Sequence, residues 1–124
     1  MPKISKDKAS QVEKMEGFEG HYEDLDGYTV GFETYTADAD ISELFKGLPD
    51  DRCQCPHWGT VLKGKLIYKY ADSEDVITTG EAYYAKPGHT PMIFAGTEVV
   101  EFSPTDKLKE TMEVVMKNVQ AAGQ

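Results

Sequence analysis

The strongest constraint on this chain is its punctuation. Short runs of alternating apolar and polar residues recur from Gly17 to Phe102, and a glycine stops most of them. The clearest case is residues 17–25, then Asp26-Gly27, then residues 28–36. Asp-Gly supplies the positive φ angles that a two-residue hairpin turn requires. In its second arm Tyr28, Val30 and Phe32 alternate with Thr29, Gly31 and Glu33, which predicts one buried face. Further strands are predicted over residues 65–70, 75–79, 82–85, 90–94 and 97–102, with turns at 71–74, Gly80, Lys86-Pro87-Gly88 and Ala95-Gly96. Strands this short cannot bury a face alone. They must pair into a β-barrel or sandwich.

Two helices interrupt the pattern. Residues 40–47 read as a short helix, with Asp40 as cap, Glu43 at the box position and Gly47 as terminator. Ser103-Pro104-Thr105-Asp106 reads as a cap, a proline at the first helical position and an acid in the first turn. The helix predicted over residues 104–121 carries Leu108, Met112, Val115, Met116 and Val119 as one apolar stripe, read as core packing.

At 124 residues the chain is long enough for one domain with its own core. Residues 1–15 are lysine-rich and aperiodic, and are expected to form a loose arm ahead of a single domain over 16–124. The formal net charge is −9, which disfavours nucleic acid and anionic lipid as partners. The acidic groups Glu23/Asp24/Asp26, Asp38/Asp40/Glu43 and Asp50/Asp51 read as solvated loops and helix starts. No apolar run approaches a membrane span, and no apolar stretch follows the basic start to make a secretory signal. Two cysteines separated by one residue do not form a disulfide framework. Together these features predict a cytoplasmic protein.

Chemistry concentrates in residues 53–64. This run holds both cysteines, the sole tryptophan and His57, one of three histidines. In extended backbone Cys53, Cys55 and His57 share a face. Pro56 has no N–H for a ladder, so the run belongs at a strand start, edge or bulge. Thiolate and imidazole suit zinc, nickel, iron or copper, and Cys53, Cys55, His57 and His89 compose a chemically sound two-sulfur, two-nitrogen set. The competing reading makes the cysteines small buried hydrophobes and His57 a hydrogen-bonded core residue. His89 follows a Pro-Gly turn, and His21 reads as an ordinary strand residue. Tyr68, Tyr83 and Trp58 supply aromatic surface for a small-molecule pocket beside His57 and His89. There is no phosphate loop and no nucleophile elbow.

The segment Val61-Leu62-Lys63-Gly64-Lys65-Leu66, with Gly80 through His89 after it, resembles the core of a small cupin. That family's motifs read G-x5-H-x-H-x3-4-E-x6-G and G-x5-P-x-G-x2-H-x3-N. Gly64 matches the glycine closing the first motif, and Gly80 and Gly88 match glycines of the second. The ligand positions differ. His57 stands at the family's glutamate, seven residues before Gly64. Cys53 or Arg52 stands at its second histidine, and Asp51 or Asp50 at its first. Lys86 replaces the first proline, Pro91 occupies the last histidine position, and His89 lies two residues earlier, which preserves strand parity. The resemblance covers roughly residues 50–103. It implies an all-β, jelly-roll barrel whose interior binds a divalent metal, a small organic ligand or both. It equally implies a metal-dependent enzyme of dioxygenase or isomerase type as the alternative, and a homodimer formed sheet to sheet. Fold analogy alone assigns no activity.

Overall fold

The computed structural model describes residues 2–122. Ten strands form two antiparallel sheets, and a C-terminal helix closes one end. The strands are β1 (Gln11–Met15), β2 (Phe18–Leu25), β3 (Tyr28–Tyr35), β4 (Ala39–Asp40), β5 (His57–Lys63), β6 (Lys65–Lys69), β7 (Glu74–Thr78), β8 (Ala82–Ala85), β9 (Thr90–Ile93) and β10 (Thr97–Pro104). The helix α1 spans Thr105–Ala122. The six-stranded sheet runs β1-β2-β3-β10-β5-β8 and the four-stranded sheet β4-β9-β6-β7.

The β2–β3 hairpin turns on Asp26 and Gly27, both at positive φ (51° and 87°), as the Asp-Gly pair demands. β3 then pairs with β10, which pairs on its other side with β5. Consecutive strands β5 and β6 lie in different sheets, joined at Gly64. A side chain at Gly64 would collide with Thr97, whose hydroxyl bonds both Lys65 N and Lys65 O. The facing sheets enclose a core of Val61, Leu66, Tyr68, Ile77, Ala85, Ile93 and Val99.

A second apolar cluster lies under the helix: Phe45, Cys53, Cys55 and Val115, with Leu44, Leu108 and Val119 packed against it. Asn118 ties α1 down by donating to Leu44 O (2.7 Å) and Lys46 O (2.8 Å).

Four expectations need correction. Residues 11–15 are not a loose arm: they form β1, paired with β2 from Gln11↔Tyr22 to Met15↔Phe18. The helix expected over 40–47 is a single 3-10 turn, Ser42–Phe45, although Asp40 does accept a bond from Ser42 N. The stripe on α1 keeps Leu108, Val115 and Val119, but Thr111 takes the buried place expected of Met112, and Met112 and Met116 stay exposed. In β3 it is the Thr29, Gly31, Glu33 set that faces the barrel interior, where Glu33 bonds Tyr22 and Gly31 lies under the Tyr22 ring; on the opposite face Val30 is buried and Tyr28 exposed. Polarity misassigned this strand because the barrel interior is itself polar.

Candidate metal centre

Two distant segments meet at one end of the barrel. Cys53 and His89 form an isolated antiparallel bridge, with Cys53 N donating to His89 O (2.9 Å) and Gly88 N to Cys53 O (2.8 Å). Backbone pairing therefore fixes both residues before their side chains are considered. Four residues on, His57 opens β5, where pairing with Ala85 sets its inward direction. The result is a buried group in which Cys53 Sγ and one ring nitrogen from each of His57 and His89 all lie within 4.8 Å of one another. The two imidazole centroids are 4.9 Å apart and tilted by 53°.

Each ring is held by its outer nitrogen. His89 Nδ1 lies 2.6 Å from Lys86 O. A carbonyl oxygen only accepts, so Nδ1 carries the proton and Nε2 carries the lone pair. That Nε2 is buried without a hydrogen-bond partner, on a residue 1% exposed. His57 Nδ1 bonds Ser103 Oγ at 2.7 Å, and its Nε2 faces Cys53 Sγ at 3.7 Å. Burial lowers the pKa of both histidines to about 4, so both rings are neutral at pH 7, the form that binds metal. For this reason the 3.7 Å contact of His57 Nδ1 with Glu101 Oε2 is not an ion pair at neutral pH. Burial also pushes the Cys53 thiol up to about 11, against a backbone hydrogen bond at Cys55 and the Thr111 hydroxyl on α1, which favour the thiolate.

Cys55 does not join the group. Backbone regularity begins only at His57, after Pro56, so the alternation expected from Cys53 to His57 is broken. The Cys55 Sγ turns to Pro56 O (3.5 Å) and packs in the cluster beneath α1. Trp58 also leaves the expected pocket. It lies on the outer face of the six-stranded sheet, 42% exposed and against Tyr84, their ring centroids 4.9 Å apart.

Tyr68 and Tyr83 do face inward, but toward a carboxylate that sequence reasoning missed. One cross-strand row of the six-stranded sheet reads Tyr22, Gly31, Glu101, Gly59, Tyr83. The two glycines make room for the tyrosines: a Cβ would stand 2.7 Å from the Tyr22 ring at Gly31, and equally close to the Tyr83 ring at Gly59. Tyr83 donates to Glu101 Oε1 (2.6 Å), and Tyr68, from the opposite sheet, donates to the same oxygen (2.5 Å). Tyr22 donates to Glu33 (2.6 Å). Burial raises both carboxyls, Glu33 to about 8 with the neighbouring Glu101 charge adding to the rise. The available signal was the pairing of small residues with tyrosines along strands, which becomes readable only once the register is known. Tyr68 also links the two groups, since its ring lies 4.8 Å from that of His89 and 6.3 Å from that of His57.

The fold is that of a small cupin-type barrel. It overlays a protein of unknown function from Rhizobium leguminosarum with a TM-score of 0.58 at 16% identity, covering 83% of this chain and 95% of that one. It is similar to KdgF from Halomonas sp. (0.51, 10% identity, 76% and 86%) and to Fe(II)-HppE with an alternative substrate (0.57, 12%, 83% and 60%). Likeness at these identities shows the fold. A 61-residue stretch is 39% identical to the "Probable autolysin LDP" of Staphylococcus aureus, and spans 49% of this chain but only 21% of that protein. No protein-family model matches the chain.

Proposed function

We propose that this cupin-fold protein binds one divalent transition metal through Cys53 Sγ and the Nε2 atoms of His57 and His89. The observation that carries the reading is the orphaned Nε2 of His89. A buried nitrogen lone pair without a partner is costly, and this one shares its small space with a thiol and a second imidazole. The set of one sulfur and two nitrogens favours zinc, with nickel or iron next, over calcium or magnesium. Three protein donors leave a tetrahedral ion one position for water or a small organic ligand. A metal-dependent enzyme of dioxygenase or isomerase type is the second reading, favoured by the likeness to an iron(II)-bearing barrel.

Elemental analysis of protein purified without chelators, followed by cobalt(II) titration, tests this. One equivalent of metal in wild type is expected, with loss in Cys53→Ala, His57→Ala and His89→Ala. Unchanged metal content in all three variants overturns the site.

The same reading places the protein in the cytoplasm, where a reducing environment keeps both free thiols available; recovery in the membrane or secreted fraction would count against it. It also pairs two copies sheet to sheet through the exposed Tyr28, Trp58, Tyr84 and Phe102. Light scattering that reports a monomer across the micromolar range removes the dimer.

A further inference from the structure

Ser103 looks in sequence like a helix cap. In the structure it is the penultimate residue of β10, 3% exposed, and its hydroxyl meets His57 Nδ1 at 2.7 Å. The helix begins two residues later, where Thr105 N bonds Gly27 O and the Thr105 hydroxyl bonds that of Thr29. A buried hydroxyl on the outer nitrogen of a candidate ligand histidine has a consequence that packing alone does not.

We propose that Ser103 is the positioning residue of the metal centre: its oxygen accepts the His57 Nδ1–H and thereby keeps the Nε2 lone pair aimed at Cys53 and His89. The proposal rests on the metal reading above.

A neutral imidazole has one proton and two nitrogens. If the proton sits on Nε2, it points toward Cys53 Sγ, 3.7 Å away, and the ring cannot ligate from that side. If it sits on Nδ1, the ring is ready for metal. For His89 a backbone carbonyl makes that choice. For His57 the partner is a hydroxyl, which can donate or accept, so its surroundings decide. Glu101 Oε2 lies 3.7 Å from the same Nδ1, an oxygen that favours N–H on that side. With the proton on Nδ1, the Ser103 oxygen 2.7 Å away accepts it. Partners on the outer nitrogen fix the tautomer and raise the basicity of histidine ligands, and their loss typically costs 10–100-fold in metal affinity.

The test uses zinc alone as the probe. Zinc affinity is measured by competition with a chromophoric chelator for wild type, Ser103→Ala and Ser103→Thr. Nitrogen-15 NMR of the metal-free proteins reads the tautomer of each ring. Expected are an Nδ1–H tautomer at both histidines in wild type, a roughly 10–100-fold affinity loss in Ser103→Ala with the His57 tautomer mixed or reversed, and affinity within a few-fold of wild type in Ser103→Thr. A serine that merely packs would leave the tautomer unchanged. Wild-type His57 in the Nε2–H form, or equal zinc affinity in Ser103→Ala, overturns the proposal. Wild type that takes up no zinc overturns the metal reading instead, and the wild-type tautomer then decides the positioning role by itself. If Ser103→Ala does not fold, the wild-type tautomer and the Ser103→Thr affinity still decide.

Discussion

The barrel interior holds two polar regions a few ångströms apart, built on opposite principles. In the middle, Glu101 and Glu33 accept from Tyr68, Tyr83 and Tyr22, so a costly burial of carboxyls is offset by a closed network of short bonds. At the end under α1, Cys53, His57 and His89 meet with one ring nitrogen left without a partner. The first region is satisfied by the chain itself. The second is incomplete in the way a ligand site is incomplete. Polar burial by itself therefore does not distinguish the two regions; the unspent bonding capacity does.

The sharpest way to break this contrast is to remove the acceptor at the centre. Glu101→Ala strands two buried phenols and should cost about 3–5 kcal/mol, read as a lowered urea midpoint. A loss below about 1 kcal/mol would mean the middle region is not a network at all.

Metal should act on one region and not the other. Zinc at about a hundred times its dissociation constant should stabilise wild type by about 2.7 kcal/mol and Glu33→Gln equally, but His89→Ala not at all. Equal stabilisation of His89→Ala would place the ion elsewhere.

The regions should also tilt stability with pH in opposite directions in the metal-free protein. His57 and His89 have pKa values near 4 when folded against an ordinary 6.5, so the unfolded chain takes up protons that the folded one refuses. Stability then falls as pH drops from about 6.5 toward 4, by up to about 1.4 kcal/mol per pH unit for each ring. Glu33 is raised from 4.5 to about 8, so its contribution is present below the lower value and lost as pH rises through the higher. Urea midpoints from pH 4 to 9 should show both limbs, and Glu33→Gln should flatten the alkaline one. An unchanged alkaline limb would show that Glu33 ionises freely.

The smallest expected effect concerns the lid over the Cys/His end. Leu108→Ala removes a side chain packed against the cluster containing Cys53 and should cost about 2 kcal/mol, whereas Met112→Ala, on the exposed side, should stay within about 0.5. Equal losses at both positions would restore the stripe that helical spacing alone suggested.

Much of the architecture was legible in the residues. Asp26-Gly27 set the hairpin, the glycines at 64, 80, 88 and 96 marked strand ends with positive φ, and the parity of His89 turned its ring toward that of His57. These are local properties: a turn needs a particular φ, and a strand alternates with period two whatever it packs against. Which face of β3 turned inward was not local, because a polar barrel interior inverts the usual reading of Glu33. Nor was the fate of Cys55, since Pro56 ends the alternation one step before β5 begins. Ser103 carried a cap signature and became a histidine partner, because the register of β10 against β3 and β5 puts its hydroxyl at His57 rather than at the helix. Sequence by itself determined where the chain turns and which residues bear donors. Only the tertiary structure decided which donors meet and which are already used, because hydrogen bonds between residues dozens of positions apart depend on register and on the closure of two sheets, and neither is a property of any single segment.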